Sequence, residues 1–425
     1  MAAIDASLYE EIIIESSDGK RSVDLRFGIV ALKYFEDLFS PTLTAQMTIV
    51  NTGGTIPTED GSYQSIYSGL PLRGGERVSI KIAGNSDTNK GLDLSNKDNY
   101  MYVSKITNVI REGQREIFTL HLVSREAIAN ETSRVYRKFS KGPIDKHVKD
   151  ILKENLQSQK SLKYDPVEFQ YSFIGNLRRP FNVMIWLAAK SIPTTGIPGY
   201  FFYETIEGYN FKSVENLIAE GKQNVSAEYF HQEDQDFNKS TDRRILSYSI
   251  SVNNDLLENL RLGTYAAFFA EYDPYLARFS LPQDGKRTLR DFSGTNLGDD
   301  PEIPQILSSN GFDLSNTPSR ILTSVLDVGT LEKNVAYNYT KTNYRDALFR
   351  YNYLFTQVLN MTVPLNTELK VGNVVKCNFL KISNNSKEFD REQSGLYMIK
   401  ELCHHFDGTQ SLTSMKLLRD TFGDV

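Results

Sequence analysis

Apolar and polar residues alternate with period two over three short runs early in the chain, and again over three runs near its end. The first set is Gly75–Ile82 (GERVSIKI), Tyr102–Val109 (YVSKITNV) and Thr119–Arg125 (TLHLVSR). The second is Gly372–Phe379 (GNVVKCNF), Tyr397–His404 (YMIKELCH) and Ser414–Asp420 (SMKLLRD). The interval from the glycine to the tyrosine is 27 positions in the first set and 25 in the second, and the interval from the tyrosine to the third run is 17 in both. Alternation of this kind predicts strands with one face in a core, and a glycine before each first strand suits a turn that needs a permissive backbone. The agreement in order and spacing predicts an internal duplication, with Gly75 equivalent to Gly372 and Tyr102 to Tyr397.

The rest of the chain reads as strands interrupted by a few helices. Ile12–Ile14 open a strand before an Asp18-Gly19 turn. In Thr42–Ile49, Leu43, Ala45, Met47 and Ile49 share one face, while Thr42, Thr44, Gln46 and Thr48 share the other, which predicts one buried and one wet face. A polar stretch at 84–99 reads as a long hairpin tip. Apolar residues at helical spacing after Pro143 (Ile144, Val148, Ile151, Leu152, Leu156) predict a helix ending near Leu156, and Pro180 opens a second one around Trp186, apolar on most sides and so expected to be buried. Tyr200–Phe211 predicts an aromatic hairpin turning at Glu207-Gly208. Residues 221–243, with the acidic run Glu233–Asp236, read as a loop or arm, Ile245–Val252 as a strand, and 281–320 as an insertion with little periodicity. A helix over 344–356 feeds a strand at 358–363.

Composition narrows the function classes. The 425 residues carry a formal net charge of −5, which is not the electrostatic footprint of a duplex-DNA binder. The two cysteines, Cys377 and Cys403, are no disulfide framework. The first residues lack the basic segment of a secretion signal, and the longest apolar run, Phe181–Ala189, is about half the length that spans a bilayer. The expectation is therefore a soluble chain without stable membrane insertion.

Chemistry-bearing patterns in the chain are few. Cys403-His404-His405 has zinc-binding residue types, but strand neighbours point to opposite faces, so the two histidines are not expected to share a metal. No nucleophile elbow, phosphate loop or dinucleotide glycine pattern occurs, and Gly53-Gly54 and Gly74-Gly75 read as turns. Glu204 and Glu207 resemble a carboxylate pair only in spacing, and flank a hairpin turn where acids are normally solvated. Arg178-Arg179 and Arg243-Arg244 read as ion-pair or interface groups, and Tyr200–Tyr203 as core or subunit interface. The sequence thus singles out no catalytic, cofactor-binding or metal-binding residue, and no cofactor.

Taken in order, three signatures resemble the central baseplate hub subunit of T-even-type contractile-tailed phages, a tail-tube-like family distantly related to the hubs of type VI secretion spikes. They are the helix at Trp186–Lys190 followed by the aromatic hairpin, the helix around Ala347–Tyr351 followed by a strand and Leu369–Val375, and the final pair Tyr397–Phe406 and Ser411–Leu418. The polar segments near 84–99 and 281–320 depart from the family.

The resemblance implies a β-dominated α+β protein with two tail-tube-like β-barrel domains, discontinuous in sequence, with inserted helices and a small peripheral insertion. On that basis residues 1–125 plus about 244–280 form the first barrel, completed by the strand Ile245–Val252. Residues 126–243 plus about 344–420 form the second, with the helices, and 281–343 an insertion or small third domain. It further implies a non-enzymatic homotrimer in the virion tail baseplate, assembled in the host cytoplasm. Duplication and trimerisation together place six similar modules in a ring, joining a trimeric central spike to a hexameric tail tube and leaving a DNA channel. The implied partners are other copies of the chain, the spike protein, the tube or tube-initiator protein, and the tape measure and wedge proteins, with no sequence-specific nucleic acid. A tail-borne cell-wall hydrolase and a carbohydrate-binding β-protein are the alternatives.

Overall fold

In the computed structural model the alternating runs become strands. The structure describes residues 2–423 apart from 53, 55, 58–60, 62, 71, 195, 232–240, 275, 281–284, 305–312, 316, 328–330, 332–342 and 383–387. The chain begins with β1 (Tyr9–Glu15), β2 (Ser22–Asp24), β3 (Ile29–Asp37), β4 (Thr44–Asn51), the ribbon β5 (Ile56–Pro57) and β6 (Tyr63–Gln64), and the single turn α1 (Ile66–Gly69). It continues with β7 (Arg77–Ala83), β8 (Gly91–Leu94), β9 (Met101–Glu112) and β10 (Arg115–Ser124). The middle holds α2 (Arg125–Thr132), β11 (Lys138–Pro143), α3 (Ile144–Glu154), β12 (Leu162–Tyr164), β13 (Gln170–Ile174), α4 (Pro180–Ala188), β14 (Tyr200–Thr205), β15 (Gly208–Ser213) and α5 (Val214–Gln223). Then come β16 (Ala227–Phe230), β17 (Ser247–Asn253), α6 (Leu256–Leu262), β18 (Ala266–Asp273), β19 (Arg278–Ser280), β20 (Lys286–Thr288) and β21 (Arg320–Val325). The chain closes with α7 (Asn343–Tyr353), β22 (Gln357–Pro364), β23 (Val374–Asn378), β24 (Gly395–Asp407) and β25 (Ser411–Arg419).

The duplication is visible in the pairing. The early strands run in the order β3-β4-β10-β9-β7, and the late ones in the order β17-β22-β25-β24-β23. Met47 opposes Leu120 and Leu32 in the first set, as Met361 opposes Met415 and Tyr248 in the second. The turn before β7 repeats bond for bond. Gly75 N–H donates to the Val103 carbonyl at 2.7 Å and Val103 N–H to that of Glu76 at 2.9 Å; Gly372 donates to Ile399 at 2.9 Å and Ile399 to Asn373 at 2.8 Å. The Glu76 carboxylate accepts from Arg73 N–H as Asn373 Oδ1 accepts from Lys370 N–H. Even the hydroxyl pair Thr48–Thr119, at 3.2 Å, recurs as Thr362–Ser414, at 3.1 Å. Gly75 therefore lies over Gly372. The tyrosines are one residue out of step: Met101, opposite Val78, takes the place of Tyr397, opposite Val375.

Both glycines need their left-handed backbone, with φ of +90° at Gly75 and +83° at Gly372. A methyl group added at Gly75 meets nothing within 4 Å, whereas one at Gly372 lies 2.8 Å from Tyr203 Oη. Gly75→Ala should cost about 1 kcal/mol, from backbone strain alone. Gly372→Ala should cost about 2–3 kcal/mol, because an ordered side chain must also move. Urea unfolding of the two variants checks this; equal losses would contradict it.

Two features correct the sequence reading. First, pairing among the described residues closes neither module into a barrel. The first half of β24 pairs with β23 and the second half with β3, so the late module opens into the early one as a single sheet of 14 strands. Second, the strand at 247–253 does not return to the first module. It pairs with β22, because Tyr248 and Ile250 sit opposite Met361 and Leu359 and pack on the late core. Each module has its own core, one around Ile12, Met47 and Leu120 and the other around Leu359, Met398 and Leu417.

A third core is built by the middle segment. The apolar stripe of α3 (Ile144, Val148, Ile151, Leu152) packs with Met184 and Leu187 of α4. Trp186 is only half buried, edge-on to Phe173 and Tyr171 with Lys190 over its ring, so α4 keeps one face toward solvent. Strand β14 is buried on both faces: Tyr200 and Phe202 enter this core, while Phe201 and Tyr203 enter the late-module core. Residues 266–325, partly read as an unpatterned insertion, contain a small sheet in which β18 pairs with β19, β20 and β21. The tip at 84–99 contributes β8, paired with β7. The acidic run 233–236 lies outside the described residues.

Candidate functional site

Because side chains alternate along each strand, the continuous sheet has a core face and an opposite face. The opposite face carries a groove of ≈ 890 Å³ whose lining includes Thr42, Thr44 and Gln46 from the early module and Ser249, Asn360, Thr362 and Ser414 from the late one. The three early residues are those the sequence placed on the wet face of their strand. Charges in the groove are few and mixed: its lining has Asp37, Glu401 and Lys416 with the buried Glu36, and no arginine among the described residues. Lys416 lies 3.8 Å from Glu401, and Lys400, at the bulge of β24, reaches both Asp37 at 3.5 Å and Glu401. Within the groove the cations are matched by acids; beyond it the same face carries Lys33 and Lys105, in one row with Gln46 and His121.

Behind the groove, two buried glutamates tie the hairpin β14–β15 to both modules. Glu36, 2 % exposed, accepts from Tyr34 Oη at 2.8 Å and from the backbone N–H of Ile206 and of Val371, both at 3.1 Å. It therefore joins β3 to the hairpin turn and to the segment leading into β23. Glu204, 1 % exposed, accepts from Leu43 N–H at 3.0 Å and Ser124 Oγ at 2.7 Å, and pairs with Lys160 at 2.5 Å. Lys160 also meets Glu126 at 3.0 Å. Burial opposes the charge on Lys160, but the Glu204 and Glu126 carboxylates outweigh it and hold its pKa above the ordinary value. Burial likewise pushes Glu204 up, against the pull of Lys160.

Burial raises Glu36 from 4.5 to about 7, with its three donors only partly compensating. A carboxyl raised in the folded state stabilises fully below its unfolded pKa, and that contribution is lost as pH climbs through the folded pKa. Between pH 4.5 and 8 the wild type should thus lose up to ~3 kcal/mol relative to Glu36→Gln, which mimics the protonated form. Urea unfolding of both proteins at pH 5 and pH 8 checks this; a pH-independent gap between them would contradict it.

The residues singled out in the sequence scatter. His404 is buried, stacked on Tyr34 and bonded to Thr413 Oγ1 at 3.0 Å, and burial holds its pKa down to about 3. His405 lies on the opposite face, 3.2 Å from Asp407, and burial pushes the Cys403 thiol up to about 11. Among the described residues no group of three or more His, Cys, Asp and Glu is placed to hold a metal ion. The expectation that Glu204 is solvated is wrong, because β14 is covered on both sides. Glu207, half exposed, is met by Lys163 and Lys370, which hold it below the usual carboxylate range. Arg179 pairs with Glu131 at 2.8 Å, and Arg243 and Arg244 are exposed. Sequence reasoning missed Glu36 and Lys160. Only Glu36, a lone acid on the apolar alternation of Leu32, Tyr34 and Leu38, left a signal.

No protein-family model matches the chain, and no curated protein matches it in sequence. Solved structures do match. A tail protein from Neisseria meningitidis MC58 superposes with a TM-score of 0.56 at 9 % identity, covering 96 % of each chain. The 43 kDa tail protein of prophage MuSo2 from Shewanella oneidensis gives 0.51 at 10 % identity, covering 97 % of this chain and 98 % of that one. The chain has the fold of phage tail proteins over nearly its whole length. The resemblance read from the order of the sequence signatures is thus met by the fold.

Proposed function

We propose that this chain is the structural hub of a contractile-tail baseplate. In this reading it is a homotrimer in the virion, assembled in the host cytoplasm, that joins a trimeric central spike to a hexameric tube. Tape measure and wedge proteins are further neighbours. The observation that carries the reading is the duplicated module: two copies, in one register and sharing one sheet, lie side by side in a single chain. Three such chains present six near-equivalent modules, which is the simplest closed route from threefold to sixfold symmetry. The tail-protein fold supports it, and so does the character of the groove. A passage for DNA works best without a stripe of lysine and arginine, since each phosphate contact must be broken as the duplex advances. The groove face then lines the lumen, and the work of the protein is mechanical rather than catalytic. The buried glutamate ties hold the two modules and the hairpin as one body under load.

Two measurements test the reading. Electron-microscope class averages of the purified protein should show annular particles with a central opening and six-part modulation; solid particles would contradict it. The assembled ring should bind duplex DNA negligibly at physiological salt, and tight binding there would contradict the channel assignment.

A further inference from the structure

A second cleft, sharing no lining residue with the groove, opens where the small sheet, α7 and the last residues of the chain meet. It measures ≈ 450 Å³ and takes its lining from residues around α6, the loop 299–304, the end of α7 and residues 420–423. Junctions of this kind, and cavities of this size, are where small ligands bind. Two hydroxyls in the lining are buried and have no hydrogen-bond partner: Tyr353 Oη, on a residue 3 % exposed, and Thr264 Oγ1, on one 2 % exposed. A buried hydroxyl left unpaired is costly, and one that lines a cleft is open to a partner from outside the fold. Burial, with the Asp420 and Asp300 carboxylates nearby, holds the Tyr353 phenol above its ordinary pKa, so it stands in the cleft as a neutral hydroxyl beside acids.

The charge of the lining is one-sided. Five carboxylates, of Asp299, Asp300, Glu302, Glu392 and Asp420, stand against one cation, Arg391. The buried Arg350 matches Asp420 at 2.9 Å. With Arg391 offsetting one of the other four, three negative charges remain. A ligand that balances the cleft is therefore a polycation. The acids do not converge on one point, since among the described residues no group of three or more His, Cys, Asp and Glu is placed to hold a metal ion. An extended cation can reach them in turn.

We propose that this cleft binds an aliphatic polyamine. Its N–H groups donate to the Tyr353 and Thr264 hydroxyls, which gain the partners they lack, and its charges meet the carboxylates. Its methylene spacers lie against apolar wall supplied by Leu289, Pro301 and Ile303. A basic peptide segment fits less well. Protonated amines only donate, and the lining is rich in acceptors; a peptide also brings carbonyls that need donors. Of the two side-chain amides in the lining, that of Asn259 already donates to Asn254 Oδ1 at 2.7 Å. Bound there, the polyamine ties the small sheet to α7 and to the end of the chain, and stabilises the fold by mass action.

The test is calorimetric titration of the full chain with spermidine at low salt, with thermal unfolding alongside. Saturable binding at one site per chain is expected, with a rise in melting temperature. Tyr353→Phe should weaken binding about tenfold, because it removes an acceptor for a charged donor. Without spermidine the same variant should melt no lower than wild type, since the hydroxyl it lacks had no partner. Glu302→Gln with Glu392→Gln, both exposed at the mouth, should also weaken binding about tenfold and flatten its salt dependence. No saturable binding overturns the proposal. So does binding undiminished in either variant, which would mark a diffuse attraction to an acidic protein. Hexylamine, with one charge, should bind far more weakly than spermidine; equal affinity would overturn the charge balance. The amidated peptide Lys-Gly-Lys binding more tightly than spermidine would assign the cleft to a protein segment and overturn the polyamine.

Discussion

Met47→Glu should leave the early module unable to fold. Met47 is fully buried, with Leu32 opposite it on β3 and Leu120 opposite it on β10. A carboxylate there has no cation or donor, and must either stay charged in an apolar core or take up a proton at neutral pH. Either costs several kcal/mol, against a total stability on the order of 5–15 kcal/mol. Gln46→Glu, one residue away on the groove face, should change stability by about 0.5 kcal/mol or less. Soluble yield and thermal unfolding separate the two. A Met47→Glu protein that melts like wild type would mean that the faces of the sheet are reversed.

Lys160→Met should cost about 3–5 kcal/mol at neutral pH. The substitution keeps most of the volume but removes the cation shared by Glu126 and Glu204, leaving two buried carboxylates side by side. The loss should shrink toward pH 5, because both acids then rise in pKa and fold in the protonated form; the variant's stability is greatest at low pH and falls as pH rises. Urea unfolding at pH 7.5 and pH 5 measures it. A loss of only about 1 kcal/mol at pH 7.5 would show the cluster to be solvated, as surface pairs are.

Much of the sheet was legible because its signal is local. The alternation of Leu43, Ala45, Met47 and Ile49 fixes a face whatever lies around it, and Pro143 and Pro180 mark helix starts through backbone chemistry alone. The duplication was legible to within one residue. It slipped at Tyr102 because a shared residue type drew the alignment, whereas the register follows the buried positions Met101 and Val103. Helix α2 has little amphipathic contrast and no side-chain cap, and so left no trace. Helix α5 did leave one, Ser213 capping Asn216 N–H, but it follows directly on a strand.

What the sequence did not show depends on distant partners. Glu204 reads as a turn acid until Leu43, Ser124 and Lys160 close on it. The strand at 247–253 alternates clearly, yet alternation does not name a neighbour, and its partner lies more than a hundred residues on at β22. The fork of β24 is invisible for the same reason: one long alternating run looks alike whether it serves one neighbour or two.

The central claim is that this chain works as a ring of three. Sedimentation-equilibrium mass over a wide concentration range tests it most directly. The account predicts three times the chain mass of 48.3 kDa, stable to dilution. A single-chain mass that persists at the highest concentrations would contradict it.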